Sequence, residues 1–132
     1  MSAHGVSLEV RLGPLTLCNP VLAASGAFGY GNDYRDFADH ARLGGYVTKS
    51  VTPAARRGNP HPRVAETPSG LLNSIGLENA GIDHFLAHDW PALRDEPCAV
   101  ILSVAANAPE EYAAMCAKAQ AAGGVRAIEI NL

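Results

Sequence analysis

The sequence predicts an α/β fold built around a parallel β-sheet, because segments typical of strands and of helices alternate along it. "YVTKSVT" is β-branched, and "AVILSVAA" is a continuous apolar run of the kind found in strands that are covered on both faces. "APEEYAAMCAKAQAAGG" follows with the composition of a helix. This order requires right-handed crossovers, which leaves a doubly wound sheet or a (β/α)8 barrel.

The first elements predicted are a β-hairpin, a strand and a helix. "LEVRLG" and "LTLCN", separated by Gly13 and Pro14, indicate the hairpin, and "PVLAASGAFG" begins as a buried strand before it becomes a loop of small residues. A helix capped by Asn32 or Asp33 should follow and end at the glycine pair 44–45. Its apolar residues recur with helical spacing, at Tyr34, Phe37, Ala38 and Ala41.

The later elements are predicted to be two helices and two strands. A helix should begin at about Ile82 and be kinked or broken by Pro91. After the strand "AVILSVAA", Asn107 is expected to cap the next helix, and "AIEINL" is the last strand. A barrel needs about 250 residues. We therefore expect residues 1–132 to be the N-terminal part, about half, of a single barrel domain.

The composition indicates one folded domain and argues against several functional classes. The chain has 132 residues, of which 48% are hydrophobic and 17% charged, and its formal net charge is -3. This charge offers no basic surface for nucleic acid. Cys18, Cys98 and Cys116 are widely spaced and form no metal-binding motif. The sequence shows neither a signal peptide nor an apolar run long enough to span a bilayer, so we expect no membrane association and a cytoplasmic location.

The candidate binding residues follow the strands, because parallel α/β folds bind ligands at the carboxyl ends of their strands. Ser25 lies among small residues that allow a flat ring or a phosphate to approach the backbone, although a plain tight turn is the alternative. Lys49 and Ser50 end the next strand. A lysine there could be an anion anchor, a Schiff-base amine or a charge stabiliser, and the alternative is a lysine that reaches solvent.

Two more polar residues end the later strands. Ser103, read alone, is interpreted as structural. Asn131 lies between apolar neighbours, and its amide has several donors and acceptors that a planar heterocycle would satisfy. Glu129 is expected to face the opposite side of the strand and to pair with a neighbouring strand.

The segment "ARRGNPHPRVAETPSGLLNSIG" is too long for a plain strand-to-helix connection. We predict an ordered excursion over the mouth of the sheet, with its arginines on a solvated loop face. Asn73, the Ser74 hydroxyl and the backbone N–H groups near Gly76 and Leu77 are expected to converge on a small planar polar ligand. Ile75 and Leu77 would exclude water around that ligand.

Four motifs, taken together, resemble the dihydroorotate dehydrogenase family of pyrimidine biosynthesis. They are "NPVLAASGAFGYG", "GGYVTKSVT", "GNPHPRVAETPSGLLNSIGLENAGID" and "AIEINL", and they occur in the family order over almost the whole chain. The third motif is most similar to the catalytic subunit of the NAD-linked, two-subunit class 1B enzymes. The combination is highly specific, whereas each motif alone is of moderate specificity.

The resemblance implies a TIM (β/α)8 barrel that binds FMN, of which this chain would form about the first half after an N-terminal β-hairpin. Such an enzyme oxidises dihydroorotate to orotate by moving a hydride to flavin N5 while a base removes a proton. Lys49 would stabilise negative charge on the reduced flavin. The implied FMN contacts are Ser25, Lys49, Ser50, Ser103 and Asn131. The implied substrate contacts are Lys49, Asn73, Ser74, Ile75, Gly76, Leu77 and Asn131.

Two departures from the family pattern matter. The family often has an asparagine that contacts FMN where this chain has Ser103, so that contact is weakened or remade. The family also continues after the segment matching "EINL" with a cysteine that acts as the base, and no cysteine of this chain lies in a matching position. We therefore expect an isolated polypeptide of 132 residues to be inactive and to retain little FMN.

The resemblance also implies partners. Two catalytic subunits would form a homodimer and join electron-transfer subunits, which carry FAD and a 2Fe–2S cluster, in a heterotetramer that passes electrons to NAD. Two alternatives stay open from the residues alone. One is a related flavin barrel that acts on another pyrimidine, as in pyrimidine breakdown, and the other is a non-catalytic, truncated α/β module.

Overall fold

A parallel sheet forms the centre of the fold, as predicted. The computed structural model describes residues 5–132, so the first residues of the predicted domain, 1–4, lie outside the described range. The sheet has four strands in the order β3-β4-β7-β8, and each neighbouring pair is parallel. Their bounds are β3 Leu22–Ala23, β4 Gly45–Val47, β7 Ala99–Ala105 and β8 Ala127–Asn131. Within residues 5–132 the sheet does not close into a barrel, because β3 and β8 are its outer strands.

The predicted N-terminal hairpin is confirmed. Strands β1 Val10–Leu12 and β2 Leu15–Leu17 pair antiparallel, and Gly13 takes a φ of 57° at the turn, where a glycine is favoured. The alternation of β2 buries Leu15 and Leu17. Both leucines pack against Ala99 at the start of β7, so the hairpin covers the amino-terminal end of the sheet.

The prediction for residues 20 to 44 was wrong in two respects. Strand β3 is short and its Leu22 is 37% exposed, because β3 is an outer strand of the described sheet. The predicted helix is replaced by two short 3-10 turns, Asn32–Tyr34 and His40–Arg42, and Phe37 between them is exposed. Asp39 is extended and its carboxylate accepts from the Ala41 N–H, so this side chain caps a new turn instead of continuing a helix.

The second crossover is a helix interrupted before its proline, as predicted. Helix α1 Ile82–His84 runs into a π-helical turn, Phe85–Asp89, which is followed by α2 Trp90–Leu93. Pro91 lies in the first turn of α2, where a backbone N–H has no intrahelical partner, so the proline fits a new helix start but not a continuous helix. Buried side chains of this crossover pack on one face of the sheet, namely Ile82, Phe85, Trp90 and Leu93.

Strand β7 is buried along its whole length, as its apolar sequence predicts, and α3 Pro109–Ala122 follows it. The prediction that Asn107 caps α3 was wrong. The cap position is Ala108, and no side chain in the described part of the chain caps it. Instead, the Glu111 carboxylate accepts from the backbone N–H of Asn107 at 2.9 Å, so an acidic residue of the first turn takes the stabilising role.

The long excursion between β4 and α1 is ordered, as predicted, and contains a second antiparallel hairpin. Its strands are β5 Val64–Thr67 and β6 Gly70–Asn73, both exposed. The Arg63 guanidinium pairs with the Glu78 carboxylate at the base of the hairpin. The excursion therefore returns the chain to the carboxyl end of the sheet just before α1.

Candidate functional site

A row of polar side chains lies across the carboxyl ends of three neighbouring strands. Ser50 follows β4, Ser103 lies in β7, and Glu129 and Asn131 lie in β8. Their side chains form one hydrogen-bonded chain. The Asn131 amide donates to the Ser50 Oγ at 2.9 Å, the two serine hydroxyls are 2.8 Å apart, and the Ser103 hydroxyl donates to the Glu129 Oε1 at 2.8 Å. We call these residues the strand-end network.

The register of the sheet explains why the strand-end network forms. Leu102 and Val104 of β7 face the helices, so Ser103 between them faces the opposite side of the sheet. Ser103 stands directly opposite Glu129 on β8, and Ala105 stands opposite Asn131. The prediction that Glu129 faces away from Asn131 was wrong, since residues two apart in a strand share a face. Its pairing with a neighbouring strand was predicted correctly.

Ser25 lies in the loop that follows β3, and this loop runs beside the end of β4. The Ser25 hydroxyl donates to the Thr48 carbonyl at 3.0 Å, and the Lys49 N–H donates to the Gly29 carbonyl at 2.7 Å. Gly26 takes a φ of 76°, and a Cβ placed there would have no atom within 4 Å. Gly26 therefore leaves open space next to Ser25.

Lys49 is half-buried, and its ammonium has no hydrogen bond or salt bridge within residues 5–132. It lines a cavity of about 450 Å³ that Tyr30, Arg57, Asn79 and Asp89 also border. Burial, with the nearby Asp89 charge, raises the pKa of the Tyr30 phenol to about 12, so it stays protonated at neutral pH. The cavity therefore holds neutral and charged hydrogen-bond donors.

A second cavity of about 450 Å³ lies at the carboxyl ends of β7 and β8. Leu77 and Asn131, two of the predicted substrate residues, line it together with Thr52 and Asn107. It shares Ala55 and Arg56 with the cavity of Lys49. The structure thus brings Leu77 and Asn131 together and places Lys49 in an adjoining cavity.

The predicted substrate segment 73–77 forms the base of the β5–β6 hairpin. Asn73 is exposed and pairs with Val64. The Asn59 amide donates to the Ser74 Oγ at 2.7 Å, and the Asn59 N–H donates to the Ile75 carbonyl at 2.9 Å. These bonds fix the backbone of the segment. Asn73, Ser74, Ile75 and Gly76 line neither of the two cavities.

Leu77 has an unusual backbone conformation, which is stabilised by a residue that the sequence analysis did not select. Its φ is 55°, in the left-handed region that costs a non-glycine residue roughly 1–2 kcal/mol. The Asn79 amide donates to the Leu77 carbonyl at 2.7 Å, while its Oδ1 accepts from the N–H groups of Thr52 and Gly81. One sequence signal could have identified Asn79. An asparagine followed by small residues, here Ala80 and Gly81, is typical of a turn in which the asparagine side chain bonds to nearby backbone.

Comparison with known proteins assigns the chain to a family. Residues 7–132 match the family profile described as dihydroorotate dehydrogenase. The chain belongs to the dihydroorotate dehydrogenase family. This match spans nearly the whole chain and confirms the resemblance carried by the sequence motifs.

Individual members of the family give the same assignment. The chain is 44% identical over 125 residues to "Dihydroorotate dehydrogenase B (NAD(+)), catalytic subunit" of Phocaeicola vulgatus, which covers 95% of this chain and 41% of that protein. It is 48% identical over 126 residues to the protein of the same description from Enterococcus faecalis, covering 95% and 40%. The chain therefore spans about two-fifths of the length of the curated relatives it matches.

A solved structure supports the fold. The crystal structure of DHODH from Eimeria tenella in complex with ferulenol matches with a TM-score of 0.74 over 96% of this chain and 36% of that one, at 21% identity.

In the described residues, no three histidine, cysteine or carboxylate side chains are placed to hold a metal ion. Among the helices that the structure describes, none is long and apolar enough to cross a membrane.

Proposed function

We propose that this chain is the N-terminal part of a single FMN-binding barrel domain that oxidises dihydroorotate to orotate in the de novo synthesis of UMP. The main observation is the position of Lys49 and Asn131, which lie at the carboxyl ends of parallel strands and keep hydrogen-bonding groups free. Within residues 5–132 the Lys49 ammonium and the Asn131 Oδ1 have no partner, although Asn131 is tied to Ser50 through its amide nitrogen. Such groups at this edge of a sheet are typical of a binding site.

The residues at this edge fit a flat, polar cofactor such as FMN. The open space beside Gly26 admits a ring system close to the backbone, and the Ser25 loop lies against the end of β4. Lys49 and Asn131 offer a cation and an amide edge. When bound, FMN supplies the N5 position that accepts the hydride. We infer that Ser25, Lys49, Ser50, Ser103 and Asn131 hold it, either directly or through the strand-end network.

The protein groups have separate roles in this proposal. The Lys49 cation stabilises the negative charge that develops during hydride transfer, and such a preorganised charge acts most strongly where water is excluded. Asn131 and residues 73–77 bind the amide and carboxylate edges of the pyrimidine, and the Leu77 side chain covers the apolar side of the cavity. The family resemblance assigns proton removal to a cysteine that follows the segment matching Ala127–Asn131 in its members.

The partner proposal rests on the names of the relatives, each of which is a catalytic subunit of an NAD(+)-linked enzyme. We infer a cytoplasmic homodimer of catalytic subunits that joins an electron-transfer subunit carrying FAD and a 2Fe–2S cluster. Copurification of the two subunits, followed by an assay of NAD reduction with and without the partner, tests this arrangement. Equal NAD reduction by the catalytic subunit alone would contradict it.

The function itself is tested with the full-length protein under anaerobic conditions. We expect a flavin absorption spectrum in the purified protein and rapid bleaching of that spectrum by dihydroorotate. Dihydrouracil is the matched alternative substrate, and faster bleaching by it would favour a flavin barrel of pyrimidine breakdown. A full-length protein that holds flavin but is reduced by neither compound would favour a non-catalytic module.

A further inference from the structure

The strand-end network has a direction that one residue determines. An ionised carboxylate can only accept hydrogen bonds, whereas a serine hydroxyl donates one and accepts others. Glu129 Oε1 lies 2.8 Å from the Ser103 Oγ, so the single Ser103 hydrogen is committed to Glu129. Ser103 can then only accept from Ser50, whose oxygen lies 2.8 Å away. Ser50, having donated its hydrogen, can only accept from Asn131 at 2.9 Å.

This direction determines which end of the Asn131 amide faces the ligand cavity. Because Ser50 must accept, it binds the Asn131 Nδ2, and the Oδ1 is turned away from Ser50. Asn131 lines the cavity at the ends of β7 and β8. Its backbone is held as well, since the Tyr112 hydroxyl on α3 lies 2.6 Å from the Asn131 carbonyl. The amide therefore presents a defined acceptor and one remaining N–H.

We propose that Glu129 is a positioning residue that sets the orientation of the Asn131 amide through Ser103 and Ser50. This inference rests on the proposed function, because it takes Asn131 to be a ligand-binding residue. Ser103 is fully buried and Ser50 is 4% exposed, so water cannot readily supply the hydrogen bonds that Glu129 provides. With a neutral donor at position 129, every hydrogen bond of the strand-end network can reverse its direction. Ser50 would then donate to the amide oxygen, and the amide would flip.

Ser103 is the middle member of the strand-end network. Its hydroxyl bonds to Ser50, which follows β4, and to Glu129 of β8. Because Ser103 donates its hydrogen to Glu129, it must accept from Ser50, and Glu129 thus determines the direction of the hydrogen bond that Ser50 makes.

The test uses Glu129→Gln in the full-length protein, because glutamine keeps the size of the side chain but can donate as well as accept. We expect orotate affinity to fall about tenfold, since a flipped amide leaves a buried ligand group mismatched. The unfolding temperature should stay close to that of the parent, and orotate affinity is compared at equal FMN content. Glu110→Gln, which changes an exposed carboxylate in the first turn of α3, is the matched control.

A double-mutant cycle separates positioning from a general structural effect. In an Asn131→Ala background, Glu129→Gln should cause no further loss of orotate affinity, whereas independent structural damage would add to the first loss. Ser103→Ala interrupts the same network and should reproduce the tenfold loss, and it replaces Glu129→Gln if that variant does not fold. Unchanged orotate affinity in both variants, or additive losses in the cycle, would overturn the inference. A parent protein that binds no orotate would overturn the proposed function as well.

Discussion

The amide of Asn131 donates to the hydroxyl of Ser50 at 2.9 Å, although the two residues are 81 positions apart in the sequence. Ser50 follows β4 and Asn131 ends β8, and β7 lies between these two strands in the sheet. The contact bridges the middle strand through polar side chains at its carboxyl end. Parallel strands thus place distant residues at one edge, where Ser25 and Lys49 are also found.

The first prediction concerns Lys49. In the full-length protein, Lys49→Ala should slow flavin reduction by dihydroorotate by about 100-fold or more, the usual cost of losing one preorganised charge-stabilising group. Anaerobic stopped-flow absorption measures this rate. The fold should persist, because the ammonium makes no hydrogen bond or salt bridge in the part of the chain that the structure describes. A variant that reduces its flavin at the parental rate would remove Lys49 from the mechanism.

The second prediction concerns Asn73 at the end of β6. Asn73→Ala should weaken orotate binding by roughly 1–3 kcal/mol, because ligand groups would be buried without partners. FMN content should change little. Titration of the flavin spectrum with orotate gives the affinity, and Asn59→Ala, which disturbs the neighbouring backbone, serves as a comparison for indirect effects. Unchanged orotate affinity with loss of flavin would instead place residue 73 at the cofactor.

Much of the fold could be predicted from local sequence patterns. The apolar run of β7, the helix α3 and the N-terminal hairpin each have a period or composition that specifies one structure. The prediction of a helix after Asn32 was wrong for a local reason. Its apolar spacing was helical, but the Asp39 side chain satisfies a backbone N–H and starts a new turn, which a count of apolar positions does not detect.

The candidate site was predictable in part. Ser25, Lys49 and Asn131 followed from the rule that ligands bind at the ends of parallel strands. The role of Glu129 required the register between β7 and β8, which places it opposite Ser103, and register is not visible in one sequence. Asn79 was missed because its side chain bonds to the backbone of Leu77, Thr52 and Gly81, and these contacts follow from the fold of the loop and not from a sequence motif.

The third prediction concerns the cysteines. Burial, with the charge of Glu96, raises the pKa of the Cys98 thiol from 9.0 to about 11, so at pH 8 roughly one molecule in a thousand carries its thiolate. The thiolate is the reactive form, and Cys18 is exposed. Iodoacetamide at pH 8 should therefore label Cys18 well before Cys98 in the native protein. Peptide mass mapping measures both rates, and unfolding in urea should abolish the difference.

The same shift has a consequence for stability. The pKa of the Cys98 thiol is higher in the folded state than its ordinary value, so folding favours the protonated thiol. The contribution of this thiol to the free energy of unfolding is therefore complete below pH 9 and is lost as the pH rises through about 11. The unfolding temperature of Cys98→Ala should consequently fall less between pH 9 and pH 11 than that of the parent. An equal fall of the unfolding temperature with pH in the two proteins would contradict this account.

The last prediction concerns the left-handed conformation of Leu77. Leu77→Ala and Leu77→Gly both remove the side chain from the cavity, but only glycine relieves the strain of a φ of 55°. We expect the free energy of unfolding of Leu77→Gly to exceed that of Leu77→Ala by about 1 kcal/mol in urea denaturation. Leu71, exposed in β6, is the matched control, and there the order should reverse because glycine weakens a strand. A Leu77→Gly protein less stable than Leu77→Ala would show that the Asn79 contacts, and not backbone strain, determine the energy of this turn.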